Sequence, residues 1–530
     1  MKKIKLQPEY SKNGSYIQLC LPIETEVFIP VDHKVRLLDQ VFESLDYSKL
    51  YWSYSPIGRN PAVSPKGLFK VMVFAYSQGI WSTRKIEEAC RLNLAFQYLL
   101  HGEKCPDHNT LYRFRKYHLS YCAEDLLTQF IDLLAEQGEI LFENLFVDGT
   151  KIEADANRYS FVWAKVVRKN AERLQIKARA FLQERQLLAA IPETLQAADL
   201  RMALRNLEKE KERLGIVFVS GHGHYKSQLQ RDTETLQDFL LRQEKYEHYS
   251  TLFRGRNSFS KTDPDATFMH LKEDPMRNGQ LKPAYNLQLG VENEYIVGLD
   301  LSSERNDLYT LKPFVKRLER NYGRRFKNFI SDAGYESEEN YRYLENISMT
   351  SYIKPSNYEY SKTRKFQRDM EFRLSMQYDQ EQDLYRCKGG RVLRFSGLKN
   401  QKSKSGYVSQ KKIYTCESCA DCPHLGSCYK GKYSKQLQVS ETFDRYREKS
   451  RQNIVSEKGI QLRVNRSIQA EGAFALLKWD QSFRRFLTRG EGNVRTECLL
   501  LALGFNLNKL HRRLQDGRFG QGLFSVKSSA

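Results

Sequence analysis

The chain has 530 residues, with 85 Lys and Arg against 64 Asp and Glu, which leaves a formal net charge of +21 and a pI near 9.3. Hydrophobic content of 40% and aromatic content of 12% exclude a disordered chain, and no apolar run reaches the roughly 18 residues of a membrane span. The basic excess points to a polyanionic partner, and the length allows about three to four domains. The basic start MKKIKLQPEY is not followed by an apolar stretch, so no signal peptide is read there. The ten cysteines are accordingly expected to be reduced, in the cytoplasm.

Residues 1–30 read as a partly extended lead, and residues 31–125 as an all-helical domain. VRLLDQVFESLDY and SPKGLFKVMVFAYSQG carry apolar residues at helical spacing, the second stopping at Gly79. Ser82 and Asp107 are N-cap candidates for the helices after them, and HNTLYRFRKYH carries Arg113, Arg115 and Lys116. Short helices with basic faces suit a helix-turn-helix-like DNA module, with Arg113 and Arg115 as its contacts.

At NLFVDGTKIEA the pattern changes to a strand, a tight turn at Gly149 and a second extended piece. Residues 161–282 read as a mainly helical insertion. Val167, Ala171, Leu174, Ala178 and Phe181 lie at helical spacing, Pro192 breaks the run, and LRMALRNLEKEKERL makes the second arm of a hairpin. Strands return at YNLQLGVENEYIVGLDLS, with a helix from Asp307 to Tyr322, a strand ending in FISDAGY, the helix SEENYRYLEN and the short strand SYIKP. That alternation fits a mixed α/β sheet. Residues 356–449 are polar and hold five cysteines; the chain is then helical from about Asn453 to Leu514, before a Gly- and Ser-rich tail over 516–530 that reads as loose.

CESCADCPHLGSC places Cys416, Cys419, Cys422 and Cys428 within thirteen residues, with Cys387 upstream. Two-residue spacings let thiolates converge on one tetrahedral zinc ion of structural type. Either the four clustered cysteines bind it or Cys387 joins three of them, and His424 is a substitute ligand.

Three carboxylates stand out. Asp148 in FVDGT and Asp332 in FISDAGY each end an apolar strand, where a carboxylate is costly unless paired or metal-bound. Two such acids can meet at the carboxyl edge of one sheet. Glu471 in NRSIQAEGAFALLK is the third, with Lys478 two helical turns on. Glu497 in the next helix is the runner-up and reads as structural.

With these blocks on the page, the chain resembles the DDE transposases of bacterial insertion sequences, in the group with an N-terminal helical transposase domain and a cysteine-rich insertion before the last acid. The resemblance covers nearly the whole chain, through FVDGTKIEADANRYSFVW, SDAGYESEENYRYLE and RSIQAEGAFALLKWDQSFRRFLTRG. It implies a ribonuclease-H-like α/β core, a mixed sheet flanked by helices, over 140–160, 283–355 and 450–515, with a small zinc-ribbon-like element in the cysteine insertion. It implies Asp148, Asp332 and Glu471 as a triad for two Mg²⁺ ions, or Mn²⁺ in their place. One departure is visible. Relatives often show Tyr, two residues, Arg, three residues, Glu, six residues, Lys. Here Glu471 and Lys478 keep their spacing, but Arg466 sits one place too far upstream and Val464 stands where the Tyr belongs.

The implied activity is binding of terminal inverted repeats, metal-dependent cleavage and joining of the 3′-OH end to target DNA. Lys478, Arg466 and Lys151 are the expected phosphate contacts, with Thr150, Arg158 and the Arg484-Arg485 pair beside them. The implied partners are double-stranded DNA and a second copy of the chain, with no membrane, on the nucleoid in the cytoplasm. The alternatives are a metal-dependent nuclease without strand transfer and a catalytically dead DNA-binding descendant.

Overall fold

The computed structural model describes residues 25–55, 57, 61–221, 225–271, 279–368, 376–429, 431 and 433–525. Most of the expected lead over 1–30, Cys20 and residues 526–530 of the expected tail lie outside the described residues.

After a helical N-terminal part come β1 (Asn144–Glu153) and β2 (Phe161–Trp163), then three helices, then β3 (Ser258–Ser260), β4 (Thr267–His270), β5 (Leu281–Glu292), β6 (Tyr295–Ser302), β7 (Asn328–Ser331) and β8 (Thr350–Ile353). The main sheet has the order β4-β5-β1-β7-β8, with β6 also paired to β5. β5 runs antiparallel to β1, whereas β1, β7 and β8 are parallel to one another. This is the mixed α/β sheet expected from the alternation of strand and helix patterns. β5 is buried almost throughout, because β1 and β6 cover its edges and helices its faces.

The turn expected at Gly149 is absent. β1 runs straight through it, pairing with β5 from Phe146↔Val291 to Glu153↔Ala284. A Cβ on Gly149 would lie 2.4 Å from Gln288 Nε2 and 2.6 Å from Asp307 Oδ1, so glycine is there for close approach of side chains from neighbouring elements.

The helical N-terminal part and the sheet share one hydrophobic core. In the helix Pro65–Ser77 every residue except Lys66 is buried, and the helix packs against the long C-terminal helix Glu491–Gln515. Gly504 permits the crossing: a Cβ there would stand 2.7 Å from the Ser77 backbone nitrogen. Lys70, on the same buried helix, is compensated by Asp39 at 2.6 Å and by Glu43.

The insertion after β2 is a three-helix unit rather than a hairpin: Ala164–Glu184, Ala197–Leu214 and Gln228–Phe253 close around Ala178, Leu182, Leu200, Leu204 and Leu236. Its third helix has a weak apolar stripe, which hides it in the sequence. The second insertion is an antiparallel sheet in the order β13-β12-β11-β10-β9, formed by β9 (Gln377–Asp379), β10 (Leu384–Arg386), β11 (Val392–Lys402), β12 (Val408–Cys416) and β13 (Gln436–Val439).

The described tail is not loose. Gly520 N–H donates to Glu139, Phe524 N–H donates to Asn465 Oδ1 at 2.9 Å, and Arg518 pairs with Glu294 at 2.9 Å. Glu139 is fully buried and is also held by Arg513 at 2.7 Å and by the Tyr295 hydroxyl at 2.7 Å. One cation and several donors thus compensate this buried carboxylate, and it anchors the end of the chain. Among the described residues no helix is long and apolar enough to cross a membrane.

Candidate active site

Asp148 and Asp332 occupy matched positions on neighbouring parallel strands. The register pairs Phe146 with Ile330, and each Asp lies two residues further on, at the carboxyl edge. Neighbouring strands are about 4.8 Å apart, so the two acids stand side by side at the edge of one cleft, which Asp332 lines. β1 is apolar and buried up to Val147 and only then emerges. Asp148 Oδ1 accepts from Gly149 N–H at 3.0 Å, and Asp332 Oδ1 accepts from Gly334 N–H at 2.9 Å, opening a single 3₁₀ turn.

A third acid in the cleft is Asp307, which begins the 3₁₀ turn before the helix Leu311–Tyr322. Its Oδ1 accepts from Asn286 Nδ2 at 2.7 Å and from Gln288 Nε2 at 2.9 Å. A Cβ on Gly334 would lie 3.0 Å from Asp332 Oδ1 and 3.4 Å from Asp307 Oδ2, so these two oxygens flank one spot. Tyr335 donates its hydroxyl to Gln288 Oε1; burial, then Asp307, Asp148 and Asp332, holds that phenol well above its ordinary pKa, so it stays a donor. Asp307 was missed in the sequence. The available signal was the pair Asn286 and Gln288, two polar residues at alternating positions in the middle of a buried strand.

Glu471 ends a π-helical turn, Ser467–Glu471, in a broken helical run within the region expected to be helical from about Asn453. A second π turn, Leu476–Asp480, carries Lys478. A π turn holds one residue more than an α turn. It therefore stacks Arg466 over Glu471, five residues on, and the two form an ion pair. The extra residue between Arg and Glu in the sequence is absorbed by the π turn, and the arginine keeps its place beside the acid. Lys478 is buried, donates to Thr150 Oγ1 at 2.6 Å and lines the cleft.

Burial pushes the Asp148 carboxyl up to about 6; the Arg466 guanidinium works against that, while Asp332 and Glu471 add to it. The site thus gathers carboxylates around one guanidinium. The cleft has a volume of about 420 Å³, and Lys151 and Arg305 also line it. Among the described residues no group of three or more His, Cys, Asp or Glu side chains is already set around one point for a metal ion. The donor chemistry nonetheless fits one: carboxylate oxygens suit a hard divalent cation, and such a cation offsets the burial and the neighbouring acids that raise Asp148.

Two family matches accompany this geometry: a transposase DDE domain over residues 386–511 and a transposase domain (DUF772) over residues 23–117. Together these two matches indicate an insertion-sequence DDE transposase. The DDE match contains Arg466, Glu471, Lys478 and the five cysteines of the second insertion, while Asp148 and Asp332 lie outside it. The DDE domain implies a ribonuclease-H-like core for the transposase. Among curated proteins and among solved structures, nothing matches.

Other expected contacts of the transposase fall differently. Arg113 is exposed, but Arg115 is buried: it donates to the Tyr76 hydroxyl at 3.1 Å and its charge faces the fully buried Glu497. Arg115 is thereby a core cation rather than a surface contact. Glu497 accepts from the backbone N–H groups of Leu487 and Thr488, a structural role as expected. Arg158 pairs with Glu153 at 2.8 Å, Arg485 pairs with Asp155 at 3.3 Å, and Arg484 stacks over Trp479.

In the second insertion the described cysteines are free of disulfides. A Cβ on Gly389 would lie 3.6 Å from Cys387 Sγ, 3.7 Å from Cys422 Sγ and 3.4 Å from the His424 ring. Burial and the neighbouring Cys419 push the Cys416 thiol up to about 11, with Cys387 adding to it. Backbone N–H groups of Arg391 and Lys435 donate to Cys387 Sγ and Cys419 Sγ, each at 3.3 Å. Cys428 Sγ instead accepts from Lys435 Nζ at 3.3 Å. The structure thus brings Cys387 towards Cys416, Cys419 and Cys422.

Replacing Gly149 by Ala tests the packing around Asp307. The added Cβ pushes apart Gln288 and Asp307, and cleavage is expected to fall about ten- to a hundredfold, as for a displacement near 1 Å in a catalytic site. Equal cleavage rates in wild type and variant would show that Asp307 plays no part.

Proposed function

We propose that the chain is the transposase of an insertion sequence: it binds the element's terminal inverted repeats, cuts them by metal-dependent phosphoryl transfer and joins the freed 3′-OH to target DNA. The observation that carries this reading is the pairing of Asp148 and Asp332 at matched register on adjacent parallel strands, with Glu471, Asp307 and Lys478 beside them. Asp148, Asp332 and Glu471 would hold Mg²⁺ or Mn²⁺, which supplies Lewis-acid activation of the attacking oxygen and neutralisation of charge on the phosphate. Asp307, fixed by Asn286 and Gln288, orients that cluster. Lys478 and Lys151 bind the phosphate that enters the cleft, and Thr150 fixes the Lys478 ammonium. Arg466 balances Glu471 and draws the negatively charged backbone inward.

The exposed Arg113 and Lys116 face offers a DNA contact, and the net charge of +21 makes binding fall steeply with salt. Two ends must be held together for joining, so the working unit is a homodimer, acting on the nucleoid. The test is a labelled duplex carrying the ends that flank the reading frame, incubated with Mg²⁺ beside Asp332→Asn. The wild type cuts at the repeat tip and joins the 3′ end elsewhere; the variant binds and does neither. Cutting without joining means a nuclease, and binding by both proteins without cutting means a dead descendant.

The cysteine end of the second insertion is proposed to hold one structural zinc ion through Cys387, Cys416, Cys419 and Cys422. Protein purified without chelator should carry about one zinc per chain by elemental analysis. Cys387→Ser should lose most of it and Cys428→Ser should keep it; the reverse pattern would return Cys428 to the ligand set.

A further inference from the structure

Between the small sheet and the catalytic cleft runs a feature that the proposed chemistry leaves unused. β11 and β12 pair with each other from Leu393↔Cys416 to Lys402↔Val408. β10 covers only Val392–Arg394 of β11, and β13 covers only Lys412–Thr415 of β12. Beyond those points the hairpin is a free two-stranded ribbon. A register shift between Phe395 and Gly397 separates it from the sheet.

The ribbon's tip is docked at the rim of the cleft. Tyr407 donates to Glu338 at 2.8 Å, Ser403 and Ser405 donate to Glu339, and Lys404 pairs with Glu304. Glu338 and Glu339 open the helix that follows Asp332. Leu308 and Glu336 line both the catalytic cleft and a cavity of about 340 Å³ beneath the ribbon, so the two spaces adjoin.

From Val392 to Cys416 the chain has Arg394, Lys399, Lys402, Lys404, Lys411 and Lys412, and no acid. Lys404 and Lys412 are paired, with Glu304 and Glu441. Lys399, Lys402 and Lys411 have no acidic partner among the described residues, and Lys399 stands directly opposite Lys411 in the register. Like charges at directly opposed positions, with Cβ atoms about 5 Å apart, destabilise a ribbon. A polyanion laid along it removes that cost. A two-stranded ribbon is also of a width that enters the major groove of a duplex.

We propose that this ribbon is a clamp on the backbone of duplex DNA, gripping the segment next to the phosphate held in the cleft. The proposal rests on the transposase reading and names a surface for its substrate. Each lysine neutralises about one phosphate, so removing three should lower the slope of log affinity against log salt by about 2 to 3.

The experiment compares Asp332→Asn protein with the same protein carrying Lys399→Gln, Lys402→Gln and Lys411→Gln. Fluorescence anisotropy on a labelled duplex of arbitrary sequence is read across a salt series, with circular dichroism and zinc content as checks of folding. A control removes the exposed Lys316, Arg320 and Lys327, which lie away from the cleft on the helix and loop preceding β7. The expected result is a lower salt slope and at least tenfold weaker binding for the ribbon variant, with a smaller change in the control. The same slope and affinity in the ribbon variant overturns the clamp, as does an equal fall in the control. Unchanged DNA affinity accompanied by self-association would make the lysines guards of exposed strand edges, which also overturns it. No duplex binding by the parent protein would instead bring down the transposase reading itself.

Discussion

Asp148→Asn is expected to abolish cleavage and, at neutral pH, to raise the melting temperature. Both effects have one origin, the burial of Asp148 beside other acids. Burial, with Asp332 and Glu471 behind it, pushes Asp148 up to about 6 from an ordinary 3.8. The folded chain therefore binds this proton more tightly than the unfolded chain. By linkage, the stability it contributes is complete below pH 4 and is lost as pH climbs through about 6. Above that, the ionised group costs about 3 kcal/mol, an order-of-magnitude figure. Asn removes the cost, so the variant should melt higher than wild type above pH 6, and the gap should close below pH 4. Millimolar Mg²⁺ should raise the wild-type melting temperature at pH 7.5 and leave the variant nearly unchanged, while the cleavage rate of the variant falls by about a thousandfold or more. A stability difference that does not vary with pH would show that Asp148 is not strained by its neighbours.

Gly504→Val is expected to be the most damaging substitution far from the cleft. The added Cβ would press on the Ser77 backbone nitrogen at 2.7 Å and the Tyr76 carbonyl carbon at 2.9 Å. Neither is the end of a flexible side chain, so two helices must separate. Overpacking of this kind costs about 1–3 kcal/mol, and the branched residue belongs at the upper end. Calorimetry should show a melting temperature several degrees lower, with loss of soluble protein on expression. Unchanged melting would mean that the helix crossing is plastic.

Much of this architecture was readable beforehand. Strand-end acids announce themselves, because an apolar run such as NLFV or FISD has no cause to end in a carboxylate unless something charged waits there. The strand-end positions of Asp148 and Asp332 follow in that way, and the N-cap positions of Ser82 and Asp107 follow from backbone chemistry local to a few residues, though only Asp107 caps with its side chain. The failures have equally local causes. Gly149 was read as a turn because glycine marks turns more often than it marks contact between side chains on other elements. The third helix of the first insertion, Gln228–Phe253, was hidden by a weak apolar stripe. Asp307 lies in a polar loop and acquires its role only through Asn286 and Gln288 on a distant strand. Arg466 looked misplaced because residue counts assume α-helical turns, and one π turn changes the count. Arg115 was grouped with its exposed neighbours, although its burial is decided by Tyr76 and Glu497, far away in sequence.

The contact between Pro65–Ser77 and Glu491–Gln515 also has a consequence for how the chain is made. The first of these helices leaves the ribosome early, and the surface that covers it is nearly the last to be synthesised. Until then a largely apolar helix lacks this cover, and loop closure over more than four hundred residues separates it from its partner. A nascent or prematurely terminated chain therefore cannot complete the core that the helical N-terminal part shares with the catalytic sheet. That core closes only once the helix Glu491–Gln515 has been made.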